Sequence, residues 1–296
     1  MDHLSPSAAA VINGSPAERL AYMRKPKWFG YATGDEILDQ LESLLLYPET
    51  HRTPGLQILG DSNSGKSAVG LEFLARHPMD PNLDGDAIRV PVVYIEMPPG
   101  PDQSLLFEEI LTKLNQPFRA KDSIAIKKKQ VRAMLQTIGC RMLIIDEFQH
   151  VLGPRQDKRR ILIDTIKHMS NDLKIPIVVM GTTEAHTAVS KDEQLINRLP
   201  AVWMPTWRMD DEYKRLLATF EIVIPLRERS RLQSREMAVL ILELSEGRIG
   251  EIRDLLCLGV QEALKRGIEK LDASLIRSLP WVAPSRRRMQ RPPQRG

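Results

Sequence analysis

The segment from Gly60 to Ser67 has glycines, a lysine and a serine at the spacing of a phosphate-binding loop. It reads Gly-Asp-Ser-Asn-Ser-Gly-Lys-Ser and fits the pattern G-x-x-x-x-G-K-[ST]. The glycines let backbone N–H groups surround a β-phosphate, Lys66 can reach the β and γ oxygens, and Ser67 can offer its hydroxyl to Mg²⁺. The apolar run Leu56–Leu59 precedes the loop and a helical pattern over 68–76 follows it. We therefore predict a nucleotide-binding P-loop.

A P-loop needs an acidic partner for its metal ion, and the apolar run Met142–Asp146 supplies one. We expect Asp146 to hold Mg²⁺ together with Ser67, and Glu147 to orient or deprotonate the water that attacks the γ-phosphate. An isolated Asp-Glu pair could simply end a strand in solvent, but the upstream P-loop favours hydrolysis. The chain has no N-K-x-D guanine signature, so ATP is favoured over GTP. The residues predicted to bind nucleotide are Gly60, Asp61, Ser62, Asn63, Ser64, Gly65, Lys66, Ser67, Ala68 and Asp146.

The composition excludes several other classes of protein. With 296 residues, of which 42% are hydrophobic, the chain is long enough for one α/β domain and a smaller companion. It contains no apolar run of membrane-spanning length, and its first twenty residues lack the apolar centre of a signal peptide, so we expect a cytoplasmic protein without a membrane partner. The two cysteines, Cys140 and Cys257, are widely separated in apolar contexts, which favours reduced thiols over a disulfide, a zinc site or a catalytic thiol.

The elements that must position these residues alternate along the chain. Apolar, β-branched runs recur and are separated by helical patterns, which predicts a parallel, doubly wound sheet. We also expect one strand to be inserted between the P-loop strand and the Asp-Glu strand, as in ATPases with a catalytic glutamate. The expected organisation is an N-terminal extension (1–30), an α/β nucleotide-binding domain (31–206), a helical lid (207–282) and a disordered basic tail (283–296). The strand-like runs are Leu56–Leu59, Val92–Glu96, Met142–Asp146, Ile177–Gly181 and, more weakly, 201–204.

The aromatic segment 28–31, Trp-Phe-Gly-Tyr, has two interpretations that the sequence leaves open. It could pack on an adenine ring, or it could anchor a hydrophobic core.

Positive charge is unevenly distributed, although the net charge is only +4. Basic clusters occur at 121–132, at 155–160 and in the tail after residue 285. Such clusters are most often solvated faces, but three of them around one nucleotide-binding core favour nucleic-acid binding.

The combination of P-loop, Asp-Glu strand and helical lid resembles the AAA+ superfamily. Three segments, 52–67, 143–152 and 178–185, are similar to the TniB family of transposition ATPases, which are related to TnsC. The resemblance extends from about residue 20 to about residue 280. It implies an ATP-dependent homo-oligomer, as a ring or filament, that assembles on double-stranded target DNA, recruits a DDE transposase and works with a TniQ-type partner.

The resemblance also implies roles for individual residues. Thr182 lies where AAA+ proteins place a polar sensor near the γ-phosphate, although asparagine is usual there. Arg198 lies at the position of the arginine finger that reaches a neighbouring subunit's ATP; the alternative is a surface salt bridge. The lid has no arginine at the usual second-sensor position, and Arg253 is the substitute candidate, with Arg248 the weaker one. Segments flanking the Asp-Glu strand face DNA in related ATPases, so the predicted DNA contacts are Arg119, Lys121, Lys127, Lys128, Lys129, Lys158, Arg159 and Arg160.

Two other functions compete with this interpretation. A P-loop kinase acting on a small molecule is disfavoured by Glu147 and by the helical lid. An ATP-gated secretion or signalling ATPase, with protein partners rather than DNA, has a similar core and stays an alternative.

Overall fold

The computed structural model describes residues 3–50, 52–153 and 156–287. The chain divides into two compact units. The sheet unit comprises Thr33–Ser62 and Lys66–Met204, and the helical unit comprises Met1–Ala32, Asn63–Gly65 and Pro205–Gly296. The N-terminal segment thus belongs to the helical unit, whereas the sequence suggested a separate extension.

The sheet unit is built on five parallel strands. Their spatial order is β2-β3-β4-β1-β5, so β4 is the strand inserted between the P-loop strand β1 and the Asp-Glu strand β3. An inserted strand was expected from the resemblance to ATPases with a catalytic glutamate; the structure identifies it as β4, whereas β2 lies at the edge of the sheet. β1, β3 and β4 are buried along their whole length, and β3 and β4 are accordingly apolar runs up to their last residue rather than alternating ones. β1 also buries Gln57, whose amide donates to the backbone oxygen of Leu199 at 2.6 Å. The strands are β1 Leu56–Leu59, β2 Val92–Glu96, β3 Met142–Asp146, β4 Ile177–Gly181 and β5 Ala201–Trp203.

The helices follow the pattern expected from the sequence, with short additional turns. A 3₁₀ turn, Phe148–Val151, comes directly after Glu147. The α-helices are α1 Pro6–Val11, α2 Pro16–Arg24, α3 Ala32–Leu45, α4 Lys66–Arg76, α5 Gln103–Lys113, α6 Ile124–Thr137, α7 Gln156–Leu173, α8 Thr183–Ser190, α9 Glu193–Ile196, α10 Asp211–Val223, α11 Arg235–Ser245, α12 Ile249–Arg266, α13 Ala273–Ser278 and α14 Pro284–Arg287. None of the helices within the described ranges is long and apolar enough to cross a membrane.

The aromatic segment 28–31 anchors the core of the helical unit. Phe29 and Tyr31 are buried, and the ring of Phe29 lies 4.2 Å from that of Phe220. Tyr31 packs edge-on against Trp207, with ring centroids 5.4 Å apart. These contacts satisfy the aromatic rings within the unit, which supports the core interpretation over adenine stacking.

The predicted tail is ordered where it begins. Pro284–Arg287 forms the helical turn α14, and Arg287 pairs with the buried carboxylate of Glu251. The prediction of disorder from 283 onward is therefore wrong for this turn, because the guanidinium has a specific partner in the helical unit. The rest of the predicted tail, 288–296, and Arg155 of the second basic cluster lie outside the described residues.

Candidate nucleotide site

The P-loop connects the end of β1 to the first turn of α4. The Lys66 ammonium donates hydrogen bonds to the backbone carbonyl oxygens of Gly60, at 2.8 Å, and Asp61, at 2.7 Å. Burial lowers the pKa of Lys66, and the nearby charges of Asp146, Glu147 and Asp61 act in the opposite direction. The ammonium is held inside the loop, where it can exchange these carbonyls for phosphate oxygens.

Asp146 and Ser67 are brought together as the sequence predicted. Asp146 is only 2% exposed, and its Oδ2 accepts a hydrogen bond from Ser67 Oγ at 2.6 Å. Its Oδ1 accepts the backbone N–H of Glu147 at 2.7 Å. A hydroxyl beside a carboxylate is a pair of hard oxygen ligands, which fits Mg²⁺ bound to a nucleotide.

Tyr94 is a member of this site that sequence reasoning missed. Its hydroxyl donates to Asp146 Oδ2 at 2.5 Å. Burial, together with the charge of Asp146, raises the pKa of Tyr94, so the phenol stays a neutral donor. The ring needs space above α4, because a Cβ at Gly70 would lie 2.8 Å from Tyr94 Cε2. The only sequence signal was a tyrosine in the otherwise aliphatic stretch of β2.

Glu147 is held in an unusual backbone conformation at the end of β3. Its φ angle is 54°, in the left-handed region that disfavours a residue with a side chain. Gln149, in the 3₁₀ turn, donates its amide Nε2 to Glu147 Oε2, and its Oε1 accepts the backbone N–H of Thr182 at 3.3 Å. The hydroxyl of Thr182 donates to the carboxylate of Glu184. The predicted catalytic carboxylate and the predicted sensor are therefore connected through Gln149, which sequence reasoning also missed.

Arg198 is half-buried in the sheet unit. It forms no salt bridge with any carboxylate among the described residues, so the surface salt bridge that was the alternative role for this residue is not observed. Its Nη1 donates to Asn171 Oδ1 at 2.8 Å. A neutral amide orients the guanidinium without neutralising it, so the charge stays available for an anion.

The two lid arginines differ in their surroundings. Arg253 donates to the backbone oxygen of Arg24 at 3.2 Å and lies 3.7 Å from a carboxylate oxygen of Asp254. Arg248 is the N-cap residue of α12. The contacts of Arg253 lie within the helical unit, and its role as a sensor stays a prediction.

The segment Asn63–Gly65 is grouped with the helical unit because the start of α12 contacts it. Asn63 Nδ2 donates to Glu251 Oε1 at 2.8 Å, and the Gly250 N–H donates to the Asn63 oxygen at 2.9 Å. Glu251 is 3% exposed and its charge is balanced by Arg287 at 2.8 Å. Asn63 itself has a φ of 62°, a conformation that these bonds help to maintain.

Lys127 does not lie with the other predicted DNA contacts. It is 1% exposed, and its ammonium binds Glu108 Oε1 at 2.7 Å, Ser104 Oγ at 2.9 Å and the Ala120 oxygen at 3.0 Å. Prediction of a DNA contact at Lys127 is wrong for this structure, because the group is enclosed and its hydrogen bonds are satisfied. Helical spacing was a usable signal, since Lys127 lies one turn from Val131 on the buried face of α6.

The other predicted DNA contacts, all of them in the sheet unit, reach solvent. Lys158 also pairs with Asp102 at 3.3 Å, but the two side chains are 42% and 37% exposed. The exposed members are Arg119, Lys121, Lys129 and Arg160, and the half-buried ones are Lys128, Lys158 and Arg159.

A P-loop after β1, an Asp-Glu pair at the end of β3 and the inserted strand β4 define a P-loop ATPase fold of the AAA+ class. Solved structures agree on the fold. The Aeropyrum pernix ORC2 protein, in its ADPNP–ADP complexes, matches with a TM-score of 0.60 and 15% identity, over 83% of this chain and 64% of that one. Cdc6p from Pyrobaculum aerophilum matches with a TM-score of 0.58 and 18% identity, over 84% and 67% of the two chains. The Drosophila ORC bound to DNA matches with a TM-score of 0.55 and 13% identity, over 90% and 65%.

The family to which the chain belongs can be stated more specifically than this fold class. The model of the bacterial TniB protein matches residues 19–209, more than half of the chain. The protein belongs to the TniB family. The search of curated proteins found no match.

Proposed function

We propose that this protein is an ATP-hydrolysing, DNA-binding assembly factor that oligomerises on double-stranded target DNA and recruits or activates a DDE transposase in the cytoplasm. The observation that carries the ATPase part is the 2.6 Å contact between Ser67 Oγ and Asp146 Oδ2, with Glu147 next in the chain. Membership of the TniB family supports the transposition part.

The proposed hydrolysis of ATP follows from the side-chain atoms that line the site. Lys66 would bind the β and γ oxygens of ATP, and Ser67 and Asp146 would hold a Mg²⁺ ion, which would neutralise phosphate charge. Glu147 accepts a proton from the attacking water or orients it, a contribution of about 10²- to 10⁴-fold for a positioned general base. Removing Glu147 should therefore slow turnover while leaving ATP binding in place.

Assembly is expected to complete the site. Arg198 keeps an uncompensated charge beside Asn171, as an arginine that acts on a neighbouring subunit's γ-phosphate requires. The exposed lysines and arginines of the sheet unit supply contacts to DNA phosphates, which carry affinity but no sequence information. ATP-dependent assembly would add these weak contacts along one duplex.

The test separates binding, hydrolysis and DNA dependence. Lys66→Ala should weaken ATP binding, while Glu147→Gln should bind ATP normally and hydrolyse it at least ~10²-fold more slowly. DNA should stimulate the wild-type rate, and ATP should strengthen DNA binding. A protein that hydrolyses ATP but neither responds to DNA nor binds it in the presence of ATP would instead be an ATPase with protein partners.

The transposase step needs its own experiment. Purified protein assembled on DNA with a non-hydrolysable ATP analogue should retain a DDE transposase, preferably one whose gene lies beside this one, and should retain more of it when a TniQ-type partner is added. Equal retention on bare DNA and on assembled DNA would remove the recruitment role and leave the ATPase and DNA-binding roles standing.

A further inference from the structure

We infer that Gln149 is a positioning residue that orients the carboxylate of Glu147 and connects it to the carboxyl end of β4. This inference rests on the proposed ATP hydrolysis, because it assigns Glu147 to the attacking water. It adds a residue to the mechanism that the P-loop and Asp-Glu patterns do not include.

Both ends of the Gln149 amide are used, and they can be used in only one orientation. The carboxylate of Glu147 can only accept, so it must face the Nε2 donor, and the Thr182 N–H can only donate, so it must face Oε1. A flipped amide would put two acceptors together and two donors together. The orientation of this amide is therefore set by its partners rather than by an arbitrary choice between oxygen and nitrogen.

The structure around Gln149 is closely packed but leaves space for its amide. Phe148 and Val151, on either side of it in the 3₁₀ turn, are fully buried. A Cβ at Gly181 would lie 2.9 Å from Gln149 Oε1 and 2.6 Å from the Cβ of Ala185. The glycine at the end of β4 thus provides the room that lets the amide reach between the ends of β3 and β4.

The contact has a direct consequence for Glu147. Its left-handed backbone is disfavoured for a residue with a side chain, and the hydrogen bond from the Gln149 amide helps to hold it. The hydrogen bond to Oε2 restricts rotation of the carboxylate, which fixes the direction in which its remaining lone pairs meet water. If the Thr182 backbone shifted on binding a γ-phosphate, it would move the Gln149 amide and with it the Glu147 carboxylate. A γ-phosphate at the end of β4 would thereby change the position of the catalytic carboxylate.

The test uses Gln149→Met, which keeps the length of the side chain without its hydrogen bonds, and Gln149→Glu, which places a second carboxylate beside Glu147. We expect Gln149→Met to lower kcat for ATP by ~10-fold or more while KM and the nucleotide Kd stay within about twofold. Gln149→Glu keeps the size of the side chain and an acceptor for the Thr182 N–H, but it cannot donate to Glu147, so kcat should fall at least as far as in Gln149→Met while the nucleotide Kd is retained. A merely structural role would leave this nearly isosteric variant with wild-type kcat. Gln136→Met, at an exposed position of the same unit, is the matched control and should keep wild-type kinetics.

The failure of this inference can be told from the failure of the proposed function. If wild-type protein hydrolyses ATP and Glu147→Gln does not, the proposed function stands, and a Gln149→Met variant with wild-type kcat then overturns the inference alone. If Glu147→Gln hydrolyses ATP at the wild-type rate, both fall together. Should Gln149→Met lose nucleotide binding altogether, Gln149→Glu decides: a lowered kcat with a retained nucleotide Kd supports the inference, and a wild-type kcat overturns it.

Discussion

Replacing the enclosed Lys127 by methionine tests whether the charge of this lysine stabilises the fold or binds DNA. Methionine has a similar length and fills the same space, but it removes the cation that binds Glu108, Ser104 and Ala120. We expect the sheet unit to lose stability and DNA affinity to stay unchanged.

The magnitude follows from the surroundings of the pair. Removing one partner of a buried ion pair costs about 3–5 kcal/mol, because the other charge is left without compensation. Here Glu108 is 23% exposed and keeps a hydrogen bond from Ser104 Oγ at 2.9 Å, and the ammonium no longer has to be desolvated, so the net cost should be nearer ~2 kcal/mol. For a unit of this size that is a fall in Tm of about 4–8 °C.

The pH dependence gives a second readout. The hydrogen bond from Lys127, helped by that from Ser104, holds the pKa of Glu108 below the ordinary value of a glutamate. A carboxyl group with a depressed folded-state pKa stabilises the protein above its unfolded-state pKa and loses that contribution as the pH falls through its folded-state pKa. Wild-type protein should therefore lose stability across this acidic range, and Lys127→Met should show a weaker dependence there.

The assay compares Lys127→Met with Lys129→Met, whose side chain is exposed on the same helix. Thermal melts report stability, and fluorescence anisotropy with labelled duplex at several salt concentrations reports DNA affinity. Lys129→Met should change stability by less than ~0.5 kcal/mol and reduce the salt slope of DNA binding by about 1. If Lys127→Met melted like wild type and weakened DNA binding as much as Lys129→Met, the buried ion pair would not be the role of Lys127.

Three further results are expected. Tyr94→Phe should raise the Mg²⁺ concentration needed for half-maximal ATPase activity, because Asp146 loses the phenol donor that fixes it; an unchanged Mg²⁺ titration would contradict this. Arg198→Ala should abolish the rise of ATPase rate per subunit with protein concentration while leaving ATP affinity intact, and a rise equal to that of wild type would rule out action between subunits. Arg287→Ala should destabilise the helical unit by about 2 kcal/mol: the buried carboxylate of Glu251 loses its cation, but Asn63 still donates to its Oε1 and the Arg287 side chain is 42% exposed. Adding Glu251→Gln should recover most of the loss in a double-mutant cycle, and additive losses would argue against the pair.

The sequence alone determined the parts of the site that depend on residues adjacent in the chain. The P-loop is eight consecutive positions, and its function follows from backbone N–H groups and one lysine, so the pattern predicted it without any knowledge of packing. The Asp146–Glu147 pair could be identified because it ends a continuous apolar run, which is the sequence pattern of a buried parallel strand. The fold class followed from the alternation of such runs with helical patterns.

Tertiary structure decided which side chains meet across long stretches of chain. Tyr94 reaches Asp146 and Lys127 is enclosed by Glu108 because of how β2, β3, α5 and α6 pack, and no local pattern specifies those partners. Gln149 is two residues from Glu147, yet its role depends on Thr182 at the end of another strand. The physical reason is that a hydrogen bond or an ion pair is set by distances of about 3 Å between atoms, and only the packed chain brings residues far apart in sequence to that distance.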